Sequence, residues 1–245
     1  MAEKGKQWAM VIDQERCVGC WTCAVGCKEI NNEPLGFWWN RILTTAPNDL
    51  SGAGNSNTQQ APASDSIDVP YGTYPNLELA YLPVACQHCD QAPCVRVCPV
   101  GATFQRADGS ILIDFDRCIG CRYCIAACPY GVRVFNWGDR EYAPDFTVGY
   151  GRDWRIDGGR LVFTPERPVG VVEKCTFCVE RIDVGEQPFC VEVCPTGARV
   201  FGDLNDAGSE VSQLVNEDGA VQMLSELGTD PHVFYLPVEH ERNLT

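Results

Sequence analysis

No part of the chain approaches the run of roughly 18 apolar residues that a membrane-spanning helix needs. Stretches such as Leu79–Ala85 and Val169–Val172 stop far short of it. Positive charge is also scarce, with 19 Lys and Arg against 33 Asp and Glu and a formal net charge of -14. Gripping nucleic-acid phosphates needs net positive surface, so no nucleic-acid partner is expected. Met1–Met10 has neither a signal-peptide apolar core nor a twin-arginine pair. The chain alone is therefore expected in the cytoplasm, unless it is exported bound to a partner that carries its own signal. There is no Gly-rich dinucleotide fingerprint after a strand and no P-loop, so no nucleotide site is expected. Histidine is limited to His88, His232 and His240, which form no constellation.

What the chain does have is cysteine. It has 245 residues, 45% of them hydrophobic, enough for one or two compact domains. Its sixteen cysteines crowd into four short clusters separated by long cysteine-free stretches. A disulfide framework would spread them along an exported chain.

The first set is Cys17, Cys20, Cys23 and Cys27, spaced C-x2-C-x2-C-x3-C, and the third, Cys118, Cys121, Cys124 and Cys128, repeats that spacing. This is the bacterial ferredoxin run. The second set, Cys86, Cys89, Cys94 and Cys98, is widened by Asp90–Pro93, and the fourth, Cys175, Cys178, Cys190 and Cys194, by Val179–Phe189. Three thiolates at such spacing wrap one iron–sulfide cube, with backbone N–H groups turned towards its sulfurs. The fourth cysteine, three residues on, is carried towards a second cube. Pro99, Pro129 and Pro195 then redirect the chain, and Lys28 stands in that place after the first set. Structural zinc is the bland alternative. It is usually held by two separated pairs of ligands, a scheme that gives a third cysteine at x2 spacing no role. His88 lies inside the second set, where four cysteines leave a histidine ligand without a place.

The segment Ile12–Cys20 reappears as Ile113–Cys121, and Pro93–Ala102 is answered by Pro188–Ala198. Sets one and two thus recur as sets three and four, a tandem duplication. Between Cys98 and Cys118, Thr103–Arg106 and Ser110–Ile113 flank the turn residues Ala107-Asp108-Gly109 and predict a hairpin. Sets two and three with this hairpin make a contiguous two-cluster ferredoxin, leaving sets one and four to close a second. The ferredoxin rule that the fourth cysteine serves the other cluster then gives four ligand groups. They are Cys17, Cys20, Cys23 with Cys194; Cys86, Cys89, Cys94 with Cys128; Cys118, Cys121, Cys124 with Cys98; and Cys175, Cys178, Cys190 with Cys27.

The expected fold is α+β: two interleaved ferredoxin-like modules with loop insertions. Residues 1–43 with 169–204 form the outer module and 70–137 the inner one. Residues 44–69 and 138–168 are insertions, and 205–245 a C-terminal extension. Strands are predicted at Trp8–Ile12, Leu77–Pro83, Val132–Asn136, Ala198–Phe201 and Val233–Leu236, and helices at Ala24–Asn31, Cys178–Val184 and Glu210–Val215. Thr44–Asp68, rich in Ser, Asn, Gln, Gly, Ala and Pro, reads as an exposed loop. Asp139–Pro168 mixes charges with Tyr142, Phe146, Tyr150 and Trp154, as a partner interface or a self-packed loop would. Trp21, Tyr123, Phe177 and Trp137 lie near ligands and read as packing that keeps water from the cubes. Lys28, Arg122, Lys174 and Arg181 either offset cluster charge or sit on the surface.

Every expected iron is claimed by a cysteine, which leaves none to bind substrate and describes a wire with no catalytic residues of its own. Four clusters suggest a fixed spacer between two redox partners.

Taken together, the four sets, the runs Cys94-x3-Cys98-Pro99 and Cys128-Pro129-Tyr130-Gly131, and Gly202–Asp206 through Val211-Ser212 resemble one family over nearly the whole chain. It is the four-cluster iron–sulfur subunit of the dimethyl sulfoxide reductase family of molybdopterin oxidoreductases. The resemblance implies electron transfer, as in anaerobic respiration, beside a large catalytic subunit with a molybdenum or tungsten bis-pterin cofactor. It also implies, for many members, a membrane subunit that handles quinol, and the same pairing of sets. Some relatives replace a cysteine of the third set by Trp and hold a three-iron cluster. Cys121 is present here, so four [4Fe-4S] clusters are expected. Many relatives are exported on the catalytic subunit's signal. The alternatives are a relay subunit of a hydrogenase or formate-oxidising complex and, in another class, a zinc-stapled interaction protein.

Overall fold

The computed structural model describes residues 5–34, 36–51, 71–138, 154–157, 160–163, 167–216 and 218–238, with backbone alone at 71–73, 154–157 and 160–163. Most of the segment Thr44–Asp68, the aromatics Tyr142, Phe146 and Tyr150, the side chain of Trp154, and His240 lie outside what is described.

The first half runs β1 (Trp8–Asp13), α1 (Thr22–Ile30), β2 (Arg41–Thr45), β3 (Tyr71–Thr73), β4 (Asn76–Glu78) and β5 (Ala80–Val84). It continues through α2 (Pro93–Arg96), β6 (Thr103–Gln105), β7 (Ile111–Ile113), α3 (Tyr123–Ala127) and β8 (Val134–Phe135). The second half holds β9 (Trp154–Asp157), β10 (Arg160–Phe163), β11 (Val172–Glu173), α4 (Val179–Ile182), α5 (Phe189–Glu192) and β12 (Arg199–Asp203). It closes with α6 (Glu210–Asn216), β13 (Val221–Gln222) and β14 (Val233–Leu236). The content is α+β, and the longest described helix, α1, has nine residues.

The largest sheet has the order β12-β1-β14-β13. In β1, Ala9-Met10-Val11-Ile12 is buried throughout. Such a run suits a strand covered on both faces rather than one half open to water. Its neighbours come from far along the chain. β12 runs antiparallel, with Met10 opposite Phe201, and β14 parallel, with Met10 opposite Val233. Every residue of β14 is buried. The segment read as a C-terminal extension therefore supplies a central strand of the core.

Helices near the cysteine sets pair across the chain: α1 packs on α5, and α2 on α3. Gly26 makes the first contact possible, since an added Cβ would lie 3.0 Å from the Phe189 ring. The predicted hairpin forms, with β6 antiparallel to β7 and Thr103 opposite Ile113.

Three expectations change at their edges. The strand expected over Leu77–Pro83 is two: β4 pairs with β3, while β5 pairs with β2. The loop expected from Thr44 starts later, because Thr44 and Thr45 are buried strand residues opposite Tyr81 and Ala80. The strand expected over Val132–Asn136 is confined to β8, where only Val134 and Phe135 pair with β11.

Candidate metal centres

The four cysteine loops share a backbone device. The residue before each second cysteine has a positive φ: Gly19 at 65°, His88 at 47°, Gly120 at 66° and Phe177 at 59°. Trp21, Arg122 and Cys178, directly before α1, α3 and α4, are left-handed as well. Alternating hand, as at Gly19 and Trp21 and at Gly120 and Arg122, turns successive N–H groups into a concavity that favours negative charge. In sets one and three the sequence provides glycine, and space demands it too. A Cβ on Gly19 would lie 2.4 Å from the Tyr81 ring, and one on Gly120 2.0 Å from the Gly170 carbonyl oxygen. Sets two and four hold a bulky ring in the same conformation, which costs of order 1–3 kcal/mol and persists only where the surroundings enforce it.

None of the sixteen cysteines is paired in a disulfide. Cys17, Cys20, Cys23 and Cys194 line one hollow. Cys27, Cys175, Cys178 and Cys190 line a second, and Cys86, Cys89, Cys94 and Cys128 a third. Counted to its open mouth, each contains about 300 to 460 Å³ of atom-free space. Cys86 also borders the second hollow, so two of these spaces are neighbours. The remaining quartet, Cys98, Cys118, Cys121 and Cys124, borders none of the three. Within it Cys124 feels the charges of Cys94 and Cys118. Cys121 is exposed, whereas the Cys98 sulfur accepts N–H groups from Ala102 at 3.2 Å and Thr103 at 3.5 Å.

Bare thiols in these hollows resist ionisation. Burial, reinforced by Cys86, pushes Cys89 up to about 12, and burial with Cys190 and Cys86 does the same for Cys175. Cys27 and Cys178 are raised well above the usual thiol value, first by burial and then by neighbouring charges. Cys98 is lowered instead: burial opposes its ionisation, but the N–H groups of Thr103, Val100, Ala102 and Gly101 outweigh it. Crowded buried thiols become thiolates when positive charge arrives among them, as a metal does. Among the described residues no three Cys, His, Asp or Glu side chains converge as a single-ion site. Soft thiol donors spread around a space fit an iron–sulfide cube.

Two buried cations border these spaces, and a third lies beside Cys175. Arg199, 4% exposed, lines both the first and the second hollow. Arg133 lines the third and hydrogen-bonds Cys124 of the remaining quartet. Lys174 is buried, with Nζ donating to the carbonyls of Ile111 and, at 2.8 Å, Cys175. Sequence reasoning considered Lys174 but missed both arginines. Their signal was a shared spacing: Cys128-Pro129-Tyr130-Gly131-Val132-Arg133 parallels Cys194-Pro195-Thr196-Gly197-Ala198-Arg199.

The other singled-out residues divide by burial. Phe177 is buried, whereas Tyr123 and Trp137 are about 60% exposed. Trp21 packs edge-on against Trp38, and Arg122 covers the rings of Phe135 and Trp137. Lys28 donates to the carbonyls of Pro34 and Phe37, and Arg181 is buried, donating to the Gln187 carbonyl at 2.7 Å. His88 is fully buried, its Nδ1 accepting the Ile111 N–H at 2.9 Å. His232 sits 2.7 Å from Gln7 Nε2.

Comparison with known proteins agrees with this chemistry. Residues 77–143 and 162–204 match the 4Fe-4S dicluster domain. A Halobacterium salinarum protein provisionally named as a dimethyl sulfoxide reductase iron–sulfur subunit is 46% identical, over 94% of this chain and 78% of its own length. The arsenate respiratory reductase iron–sulfur subunit of a Shewanella species is 38% identical, over 93% of this chain and 94% of its own. Iron–sulfur subunit 1 of the Hdr-like menaquinol oxidoreductase of Archaeoglobus fulgidus is also 38% identical, over 94% and 83%. The chain belongs to the iron–sulfur electron-transfer subunits of the dimethyl sulfoxide reductase family of molybdopterin oxidoreductases.

Proposed function

We propose that the sixteen cysteines hold four [4Fe-4S] clusters in two interleaved ferredoxin-like modules. The outer module takes Cys17, Cys20, Cys23 and Cys194 for one cluster and Cys175, Cys178, Cys190 and Cys27 for the other. The inner module takes Cys86, Cys89, Cys94 and Cys128, and Cys118, Cys121, Cys124 and Cys98. The observation that carries this reading is the mixed parentage of the three hollows. Each joins cysteines from two sets far apart in sequence, either one with four or two with three.

When bound, such cubes accept and release single electrons. The chain's own work is to supply thiolates, to aim loop N–H groups at sulfur and to keep water out. The shared walls at Arg199 and at Cys86 support a path from the first hollow through the second to the third, and Arg133 beside Cys124 extends it to the remaining quartet. The exposed Cys20 and Cys121 lie in the loops at its two ends.

The partner at one end is a catalytic subunit carrying a molybdenum or tungsten bis-pterin, as the family membership supports. A quinol-linked membrane subunit at the other end is supported by the menaquinol oxidoreductase relative. No described helix is long and apolar enough to cross a membrane. Anaerobic purification tests the reading. It should yield a brown protein with about sixteen irons and as many acid-labile sulfides per chain, together with a large pterin-containing subunit. A colourless protein containing zinc and no labile sulfide overturns it.

A further inference from the structure

We propose that Arg199 and Arg133 are charge-tuning residues, each a fixed cation shared by the two clusters of one module, so that one guanidinium sets two reduction potentials together. The inference rests on the ligand groups proposed above.

The two arginines occupy equivalent places, five residues beyond the last cysteine of sets four and three. The corresponding position after Cys98 is Thr103, and after Cys27 it is Asn32. Each module therefore has one such arginine.

Their surroundings are unusual for buried guanidinium groups. Arg199 meets Asn40 Oδ1 at 3.0 Å, Met10 Sδ at 3.4 Å and Cys190 Sγ at 3.9 Å. Arg133 donates to Thr103 Oγ1 at 3.4 Å, and its Nη2 has no partner. Neither set of partners includes a carboxylate. Elsewhere this chain neutralises a buried arginine in the ordinary way, Arg167 pairing with Glu173 at 3.0 Å. An unpaired buried charge is expensive, and the acidic groups acting on the two arginines are thiols, with the phenol of Tyr235 beside Arg199. Arg199 interacts with Cys190 of one hollow and with Cys23 and Cys17 of the other. Arg133 interacts with Cys94, Cys86 and Cys128 of one quartet and with Cys124 of the next. Reduction adds a negative charge to a cube, and a fixed cation in a poorly screened interior favours that state.

The test is a mediator-poised titration followed by EPR, on the chain purified anaerobically with its large subunit. In Arg199→Met, two of the four clusters should become at least tenfold harder to reduce, about 59 mV for a one-electron couple. The other two should stay in place. Arg133→Met should move the complementary pair, and Arg199→Lys and Arg133→Lys should largely restore both. No shift, a shift of a single cluster, or the same pair moving in both variants overturns the proposal. Where a Met variant loses iron, a Lys variant that keeps iron and potentials supports it. A Lys variant that loses iron as Met does gives the arginine a structural role and overturns it. Fewer than four clusters in the unaltered protein would defeat the ligand groups instead, so the two failures are distinguishable.

Discussion

The rings of His88 and Phe177 lie face to face, their centroids 3.6 Å apart and their planes 13° from parallel. Each precedes the second cysteine of its set with a positive φ, and each borders a different hollow, His88 the third and Phe177 the second. The stack is therefore a joint between the cysteine loops of sets two and four, and Phe201 packs edge-on against Phe177 with ring centroids 5.3 Å apart.

Removing one half of this joint should be costly. Phe177 is 2% exposed, and truncating a fully buried phenylalanine costs about 3–5 kcal/mol. Phe177→Ala is expected to lower the unfolding free energy of the anaerobic protein by that amount and with it the denaturant midpoint. A midpoint within error of the unaltered chain would show that the stack adds nothing.

Two glycines in contact give a sharper contrast. Gly120 and Gly170 both have positive φ, but a Cβ on Gly120 would collide with backbone, whereas one on Gly170 meets open space. Gly170→Ala should cost about 1–2 kcal/mol, the conformational penalty alone. Gly120→Ala should also displace the third loop and lose the iron of one cluster. Equal iron content in the two variants would contradict this.

Ligation by the third set can be read directly. Cys121 is exposed, so a larger side chain has room there. Cys121→Trp is predicted to convert one cube into a three-iron cluster, seen as a new EPR signal in the oxidised protein. Unchanged spectra would remove Cys121 from the ligands.

A pH effect follows from Tyr235. Burial pushes its phenol up to about 12, against the partial offset of Gln87 and Arg199. An unfolded tyrosine ionises near 10. Between these values the unfolded state binds fewer protons than the folded one, so stability falls as pH rises. Tyr235→Phe should flatten that alkaline limb. At neutral pH it should cost about 1 kcal/mol, because the hydroxyl that donates to the Pro83 carbonyl at 2.9 Å is lost. Unfolding midpoints from pH 7 to 12 check both signs.

Much of this was legible in the residues. The cysteine spacing carried the chemistry, and Val233–Leu236 and the Thr103–Ile113 hairpin could be read because their apolar pattern is local. What escaped was long-range. Thr44 and Thr45 looked like the start of a polar loop, yet they are buried because β5 lies opposite. Nothing near residue 233 announces that its strand will lie parallel to residue 10. The two arginines fell inside strands predicted at Val132–Asn136 and Ala198–Phe201, and nothing local shows what such a side chain faces. Only the hollows on either side of Arg199 reveal its position.

The place of β1 between β12 and β14 also bears on biosynthesis. When the ribosome has made the first strand, neither of its neighbours exists, and the second arrives only with residues 233–236. Residues 80–136, by contrast, hold the second and third cysteine sets and the hairpin between them in one uninterrupted stretch. A chain cut short before residue 233 would leave β1 paired on one edge only, with β12, and its other edge open.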